Sequence, residues 1–545
     1  MTYRPYSPPG PLLIGYDPFL DLPKDHLARL IENVVESALG IPAPKRQRGY
    51  PAFDPRLCIK VLVYGYSLGV RSSRQLERLC HENLGFLFLT RGDTPTYRTL
   101  CTVRVENRDL LEQVWVALLA IAQEAGVARL GKIVIDSTKL RADVSTESVL
   151  RVSEFEVFRQ ELARILAEAD QADAREEAEG SAAQMQVDAP VSEDQMRDIL
   201  RRVRQEQHQI HKEQHQAKKT ANAKDQDKDD QDKDDGVSGN SAANLDPEPL
   251  KAEATDLEVQ RPKKISAKMR QRIEQSLKAI QAAALDARKH LCLTDPDARM
   301  MPSGTTKRIQ ECHSLEIATD NGLIVATSTT TQADNARLEA MTQMAAAHEP
   351  QGVHQVVADS GYYAGDAVAR LAQSGVDVCI PDSYTAYDLH HHQEIGFKRA
   401  QSARTIPMAY VPEEDVYVCP EGNRLVFTQE RSSSSATERE YRAQRPCLKC
   451  PLASACLKQS TAKYRNLKVS VYEDIHRQLR EQFSQEDRQA LYRHRAEQIE
   501  TVFGFIRSCL GFQRWSLRGS DRVQCEGMLM ACGYQFRKVA TALAS

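Results

Sequence analysis

Gln310-Glu-Cys-His-Ser-Leu-Glu-Ile-Ala-Thr319, Asp320-Asn-Gly322 and Leu323-Ile-Val-Ala-Thr-Ser328 decide the fold. Two strand-like runs flank an Asn-Gly pair, the strongest short-range signal for a β-hairpin, because that pair accepts the left-handed backbone a tight turn needs. Upstream, Lys132-Ile-Val-Ile-Asp136 reads as a short buried strand. Downstream, 336–348 reads as a helix, and 353–359 as a strand ending Val356-Val-Ala-Asp359-Ser-Gly361. A helix over 364–374 and a strand over Val376-Asp-Val-Cys-Ile380 follow. Strand, hairpin, helix, strand, helix, strand predicts an α/β chain with a ribonuclease-H-like sheet. A long helix must then return across it, and 486–507 is the natural candidate.

At 545 residues the chain can hold two to four domains. The formal net charge of −3 does not mark the whole molecule as a polyanion binder, but charge is unevenly spread. Residues 488–545 carry nine Lys/Arg against four Asp/Glu, an excess of five, and an Asp-rich run in mid-chain offsets it. No apolar run reaches the roughly 18 residues a membrane span needs. The Pro-rich start, Met1-Thr-Tyr-Arg-Pro-Tyr-Ser-Pro-Pro-Gly10, lacks the layout of a secretory signal. Thirteen cysteines in a long chain fit reduced thiols better than a disulfide framework. Together these predict a cytoplasmic, nucleoid-associated protein with no membrane contact.

Residues 1–131 read as a helical N-terminal domain. Phe53 to Tyr66 has helical apolar spacing, Ser72 looks like an N-cap, and Pro95 suits the first turn of another helix. Arg71, Arg74, Arg78, Arg98 and Arg104 on these short helices fit either a helix-turn-helix-like DNA module or ordinary surface arginines. Residues 132–149 hold the first core strand. Residues 150–293 read as a helical-hairpin insertion whose tip, near 214–250, is too charged to fold. Core strands and helices occupy 294–400, a Cys-rich inserted lobe 401–475, and C-terminal helices of the core 476–545. In the lobe, Cys419, Cys447, Cys450 and Cys456 could close a tetrahedral Zn²⁺ site or be buried free thiols.

Three acids stand out. Asp136 and Asp359 end apolar strands, and Glu500 lies on the amphipathic segment 493–507, whose buried stripe is Ile499, Val502, Phe503 and Ile506. At about 100° per residue, Glu500, Arg493 and Arg507 fall within roughly 20° of one line. Each acid alone is equally well a turn residue or a surface ion pair. Jointly they form the arrangement that holds two Mg²⁺ ions, or Mn²⁺ in their place, for cutting and joining phosphodiesters. In Gly511-Phe-Gln-Arg-Trp-Ser-Leu-Arg-Gly519, Trp515 either stacks on an unpaired base or packs in the core.

Phe53-Asp-Pro, Tyr64-Gly-Tyr-Ser67, Arg71-Ser-Ser-Arg74, Asp136-Ser-Thr-Lys139, Thr294-Asp-Pro-Asp-Ala-Arg299, Ala358-Asp-Ser-Gly-Tyr362 and Glu500-Thr-Val-Phe-Gly504 closely resemble bacterial insertion-sequence transposases of the DDE class, most of all the insertion-sequence 1182 group. The likeness runs from about residue 17 to residue 540 and includes the lobe cysteines. It implies a ribonuclease-H-like core, divalent-metal dependence, an N-terminal DNA-binding region, and terminal inverted repeats and target DNA as double-stranded substrates. Asp136, Asp359 and Glu500 match the family's metal-binding acids. Tyr492 matches its tyrosine, and Arg507 stands where lysine is usual, keeping the charge but presenting a planar fork. The arginine slot before Glu500 falls by strict register on Ala496, with Arg495 adjacent and Arg493 favoured by helix geometry. The expected activity is strand cleavage and transfer, by a homodimer on DNA because two ends need two active sites. The alternative is a domesticated, non-catalytic DNA-binding regulator.

Overall fold

The computed structural model describes residues 21–40, 52–127, 131–179, 196–206, 208–209, 212, 265–302, 308–348, 352–401, 406, 408–433, 436–457 and 462–544. The highly charged tip expected near 214–250 lies outside them. Contacts divide the chain into two units, one of residues 1–143 with 297–545 and one of 144–296.

The first unit begins with helices α1 (Leu27–Ala38), α2 (Pro55–Ser67), α3 (Ser73–Glu82), α4 (Leu84–Thr90), α5 (Tyr97–Glu106) and α6 (Arg108–Glu124). Asp54 caps α2 by accepting from Arg56 N, with Pro55 at the first helical position, where no N–H is needed. Thr96, one residue after Pro95, caps α5, so the proline precedes that helix rather than entering it. Ser72 precedes α3 as expected, but its side chain makes no capping bond. The chain then enters β1 (Lys132–Arg141).

In the second unit, β2 (Val149–Arg151) leads into α7 (Val152–Glu179), residues 196–206 are helical, and α8 (Ala267–Leu285) returns to β3 (His290–Cys292). β2 and β3 pair antiparallel with Leu150 opposite Leu291. Phe158, Leu162, Leu200 and Ile273 fill a core of the unit's own, which is how a charged, Ala-rich stretch stays folded.

The first unit resumes with β4 (Arg299–Pro302), β5 (Ile309–Asp320), β6 (Leu323–Thr330), α9 (Leu338–Ala346), β7 (Gln355–Ala358), α10 (Gly365–Gln373) and β8 (Asp377–Cys379). The sheet runs β5-β1-β7-β8, with β4 and β6 on the outer side of β5. β1 is antiparallel to β5 and parallel to β7, which is parallel to β8. A mixed α/β fold with a helical N-terminal region therefore follows, and the predicted strand, hairpin, helix, strand, helix and strand occur in that succession along the chain. β1 is longer than the run 132–136 because Thr138 and Leu140 alternate inward while pairing continues to Arg141.

Beyond β8, residues 409–470, within the stretch read as a Cys-rich lobe, hold five strands among the described residues. β9 (Ala409–Val411), β10 (Val416–Val418), β11 (Arg424–Ser432), β12 (Thr437–Ala443) and β13 (Asn466–Ser470) form an antiparallel meander around Leu425, Tyr441, Ala443 and Cys447. Charged residues mask its alternation, since one face of the sheet is open to water. Helix α11 (Glu486–Ser508) then packs on β1, β7 and β8, and α12 (Ser520–Ala544) packs on β6 and α2. Ile499, Val502, Phe503 and Ile506 are buried on α11 as expected, each contributing about 1.5–3 kcal/mol relative to exposure. Sheet and N-terminal helices share one apolar core. No helix among the described residues is long and apolar enough to cross a membrane.

Candidate active site

Strand register builds the site. Ile133, Val134 and Ile135 are buried, and Asp136 is the first polar side chain to leave that run. Ile135 pairs with Ala358 across parallel strands about 4.8 Å apart, so Asp136 and Asp359 emerge side by side where β7 ends. Asp359 ends β7 and starts a short turn, its Oδ1 accepting from Gly361 N at 2.9 Å. A Cβ at position 361 would lie 2.9 Å from that oxygen and 3.6 Å from Asp334 Oδ2, which is why glycine follows the acid.

Asp136 Oδ1 accepts from Ser137 N at 2.7 Å, and Oδ2 from Arg495 Nη1 at 3.3 Å. Burial first, and then the charge of Asp359, pushes its carboxyl up to about 6, against the pull of Ser137 N–H and Arg495. The Arg495 guanidinium lies 5.3 Å from the centre of the Tyr492 ring. Arg493 turns back to Gln489 O on its own helix at 3.3 Å. Of the candidates for the arginine slot, Arg495 is the one that meets an acid.

Glu500 is exposed on α11. Seven residues on and roughly 20° away around the helix, Arg507 bonds Thr138 Oγ1, two residues beyond Asp136. The helix bearing Glu500 thus lies along the strand bearing Asp136. Among the described residues, no group of three or more His, Cys, Asp or Glu side chains is arranged to hold a metal ion. The acids drawn together are Asp136, Asp359 and one that the sequence reading passed over, Asp334. It accepts from Ser137 Oγ at 3.0 Å and pairs with Lys139 Nζ at 3.5 Å. Asp334 starts a short turn four residues after β6, behind the polar run Ser328 to Gln332, so it lacks the apolar run that singled out Asp136 and Asp359. Behind it Glu316, fully buried, pairs with Arg337 at 2.9 Å and is pushed up to about 7 by that burial.

The four lobe cysteines line one cavity of about 240 Å³. Cys419 Sγ accepts from Asn423 N at 3.2 Å and Cys447 Sγ from Asn423 Nδ2 at 3.6 Å. They share a cavity without forming a preset metal cage. Arg71 donates to Arg514 O at 2.6 Å and lies over the Phe512 ring, while Arg74 and Arg98 lie over the Tyr97 ring. Trp515 is fully buried, with Nε1 donating to His313 O at 3.2 Å. Its ring packs against Phe512 and has no face open to a base, so of its two readings the structure has the core one.

Residues 418–540 match a family model described as "Transposase DDE domain", and residues 19–106 match one described as "Transposase domain (DUF772)". The two matches show a transposase of the DDE family. The first match takes in the four lobe cysteines and α11, with Tyr492, Arg495, Glu500 and Arg507 of the transposase. The second spans α1 to α5. Asp136, Asp334 and Asp359 lie outside both matched stretches; strand register sets Asp136 beside Asp359. No curated protein and no solved structure matches the chain.

Proposed function

We propose that this DDE transposase, of the insertion-sequence 1182 kind, binds the terminal inverted repeats of an insertion sequence and carries out strand cleavage and strand transfer. The observation that carries the reading is the parallel register that seats Asp136 beside Asp359 with Arg495 on Asp136. Asp136, raised by burial and by the charge of Asp359 beside it, fits with its neighbour a divalent cation, which prefers oxygen donors and relieves their repulsion. Asp136, Asp359 and Glu500 are the residues to hold Mg²⁺ or Mn²⁺. When bound, the metal supplies acidity to the attacking hydroxyl and neutralises charge on the leaving oxygen.

The chain's own residues do the rest. Arg495, braced on Tyr492, orients the Asp136 carboxylate and supplies positive charge where a phosphate enters. Arg507 presents a second guanidinium on the same helix, and Lys139 a third cation on β1. Asp334 fixes Ser137 and Lys139, and with them the strand segment behind Asp136. A homodimer in the DNA complex would give each transposon end its own site.

The test uses the DNA flanking the coding region. Matched inverted repeats are expected there, and the full chain should nick them only when Mg²⁺ or Mn²⁺ is supplied. Specific binding without nicking would favour the non-catalytic regulator instead.

The proposal extends to a structural Zn²⁺ on Cys419, Cys447, Cys450 and Cys456, supported by their shared cavity and soft donors. Metal analysis of the purified chain should return one zinc per chain, and a chelator should lower the melting temperature. Zinc-free protein of unchanged stability rejects that part alone.

A further inference from the structure

A cleft of about 490 Å³ opens between the N-terminal helices and the segment before α12, lined by Arg71, Ser72, Ser73, Arg74, Arg104 and Ser516. Three guanidiniums converge on it. The acid nearest them, Glu526, is fully buried and occupied: it accepts from Ser516 N and Oγ and from Leu517 N, with Arg71 at 3.8 Å. The cleft wall is therefore net positive.

Arg104 is the informative member. It is only 5% exposed, yet among the described residues no carboxylate lies within ion-pair distance of it. Nη1 meets Arg71 O at 3.2 Å and Tyr66 Oη at 3.5 Å, Nη2 meets Ser73 Oγ, and buried Nε has no partner. Glu526 acts on it only beyond ion-pair distance, so its direct partners are neutral and one N–H has none; such burial is unfavourable, and an anion in the cleft would offset that cost. The ten-residue α3 also starts here, and its N-cap Ser72 makes no side-chain bond, so first-turn amides and the positive end of the helix face the same space. Arg74, exposed, is steadied at the rim over the Tyr97 ring at 5.2 Å.

We propose that this cleft seats a backbone phosphate of duplex DNA, with Arg74 and Arg104 on its oxygens and the α3 amides behind it. The assignment rests on the DNA-transposase reading above and adds to it a fixed anchoring point on the catalytic unit. Trp515 N donates to Arg141 O at 2.9 Å, so Ser516 adjoins the far end of β1. Asp136 is five residues back along that strand, about 17 Å away. One duplex can span both.

The experiment measures binding of a labelled mixed-sequence duplex to the full chain by anisotropy, over a series of salt concentrations. Arg74→Ala is expected to weaken binding about three- to tenfold and to reduce the slope of log K against log salt by about 0.9, the signature of one lost phosphate contact. Arg104→Gln should do the same, and Arg74→Lys should keep most of the slope. Because Arg74 is exposed, its variants decide the matter even where Arg104→Gln fails to fold. Wild-type binding with an unchanged slope in Arg74→Ala overturns the phosphate seat and leaves the transposase reading intact. A wild-type chain that binds no duplex at any salt overturns both. Arg74-dependent binding confined to inorganic phosphate, or to an RNA duplex, overturns the assignment to DNA.

Discussion

Asp136→Asn and Asp359→Asn are each expected to reduce strand cleavage by about a thousandfold or more while leaving DNA binding unchanged. The two carboxyls are neighbours by strand register, and burial together with the charge of Asp359 raises Asp136, so they act as a unit. The double variant should therefore be no worse than either single one. Asparagine keeps the volume and can still accept the bonds from Ser137 N and Gly361 N. Melting temperatures should stay near wild type, which separates lost chemistry from lost folding. The measurement is cleavage of a labelled transposon end beside a binding titration of the same preparation. Full cleavage by either purified single variant removes that residue from the site.

Trp515→Ala is expected to cost about 3–5 kcal/mol of stability, the range for emptying a large aromatic site. The side chain has no exposed surface, its indole N–H is bonded to His313 O on β5, and its ring meets Phe512 edge-on at 5.2 Å. It ties the segment before α12 to the end of β1 through Arg141 O. Denaturant unfolding should show the midpoint falling steeply, with Trp515→Phe recovering most of the loss. Should Trp515→Ala unfold at the wild-type midpoint yet lose DNA binding, the ring is a nucleic-acid contact and the packing account is wrong.

Asn321 and Gly322 have φ of +49° and +77°, the left-handed pair that an Asn-Gly hairpin requires, so local chemistry sufficed to locate β5 and β6. Helix α11 begins at 486 and ends within a residue of the expected boundary, because its apolar stripe is long and regular. Asp334 escaped notice because its role comes from Ser137 and Lys139, nearly two hundred residues away, and no local pattern encodes that distance. The choice between Arg493 and Arg495 turned on a tilt of the helix face toward β1. A periodicity argument measures angles around a helix, not which angle points at a partner.

Sequence by itself determined the succession of elements, the acids that follow the apolar runs of the two central strands, and the cysteine spacing, since these depend on residues close together along the chain. Tertiary structure alone decided that Asp136 and Asp359 lie side by side, that Arg495 rather than Arg493 meets Asp136, that Trp515 is core, and that Arg104 is buried beside a cleft. Those outcomes depend on strand register and on packing between distant segments, where the free energy of burial, rather than local propensity, selects the partner.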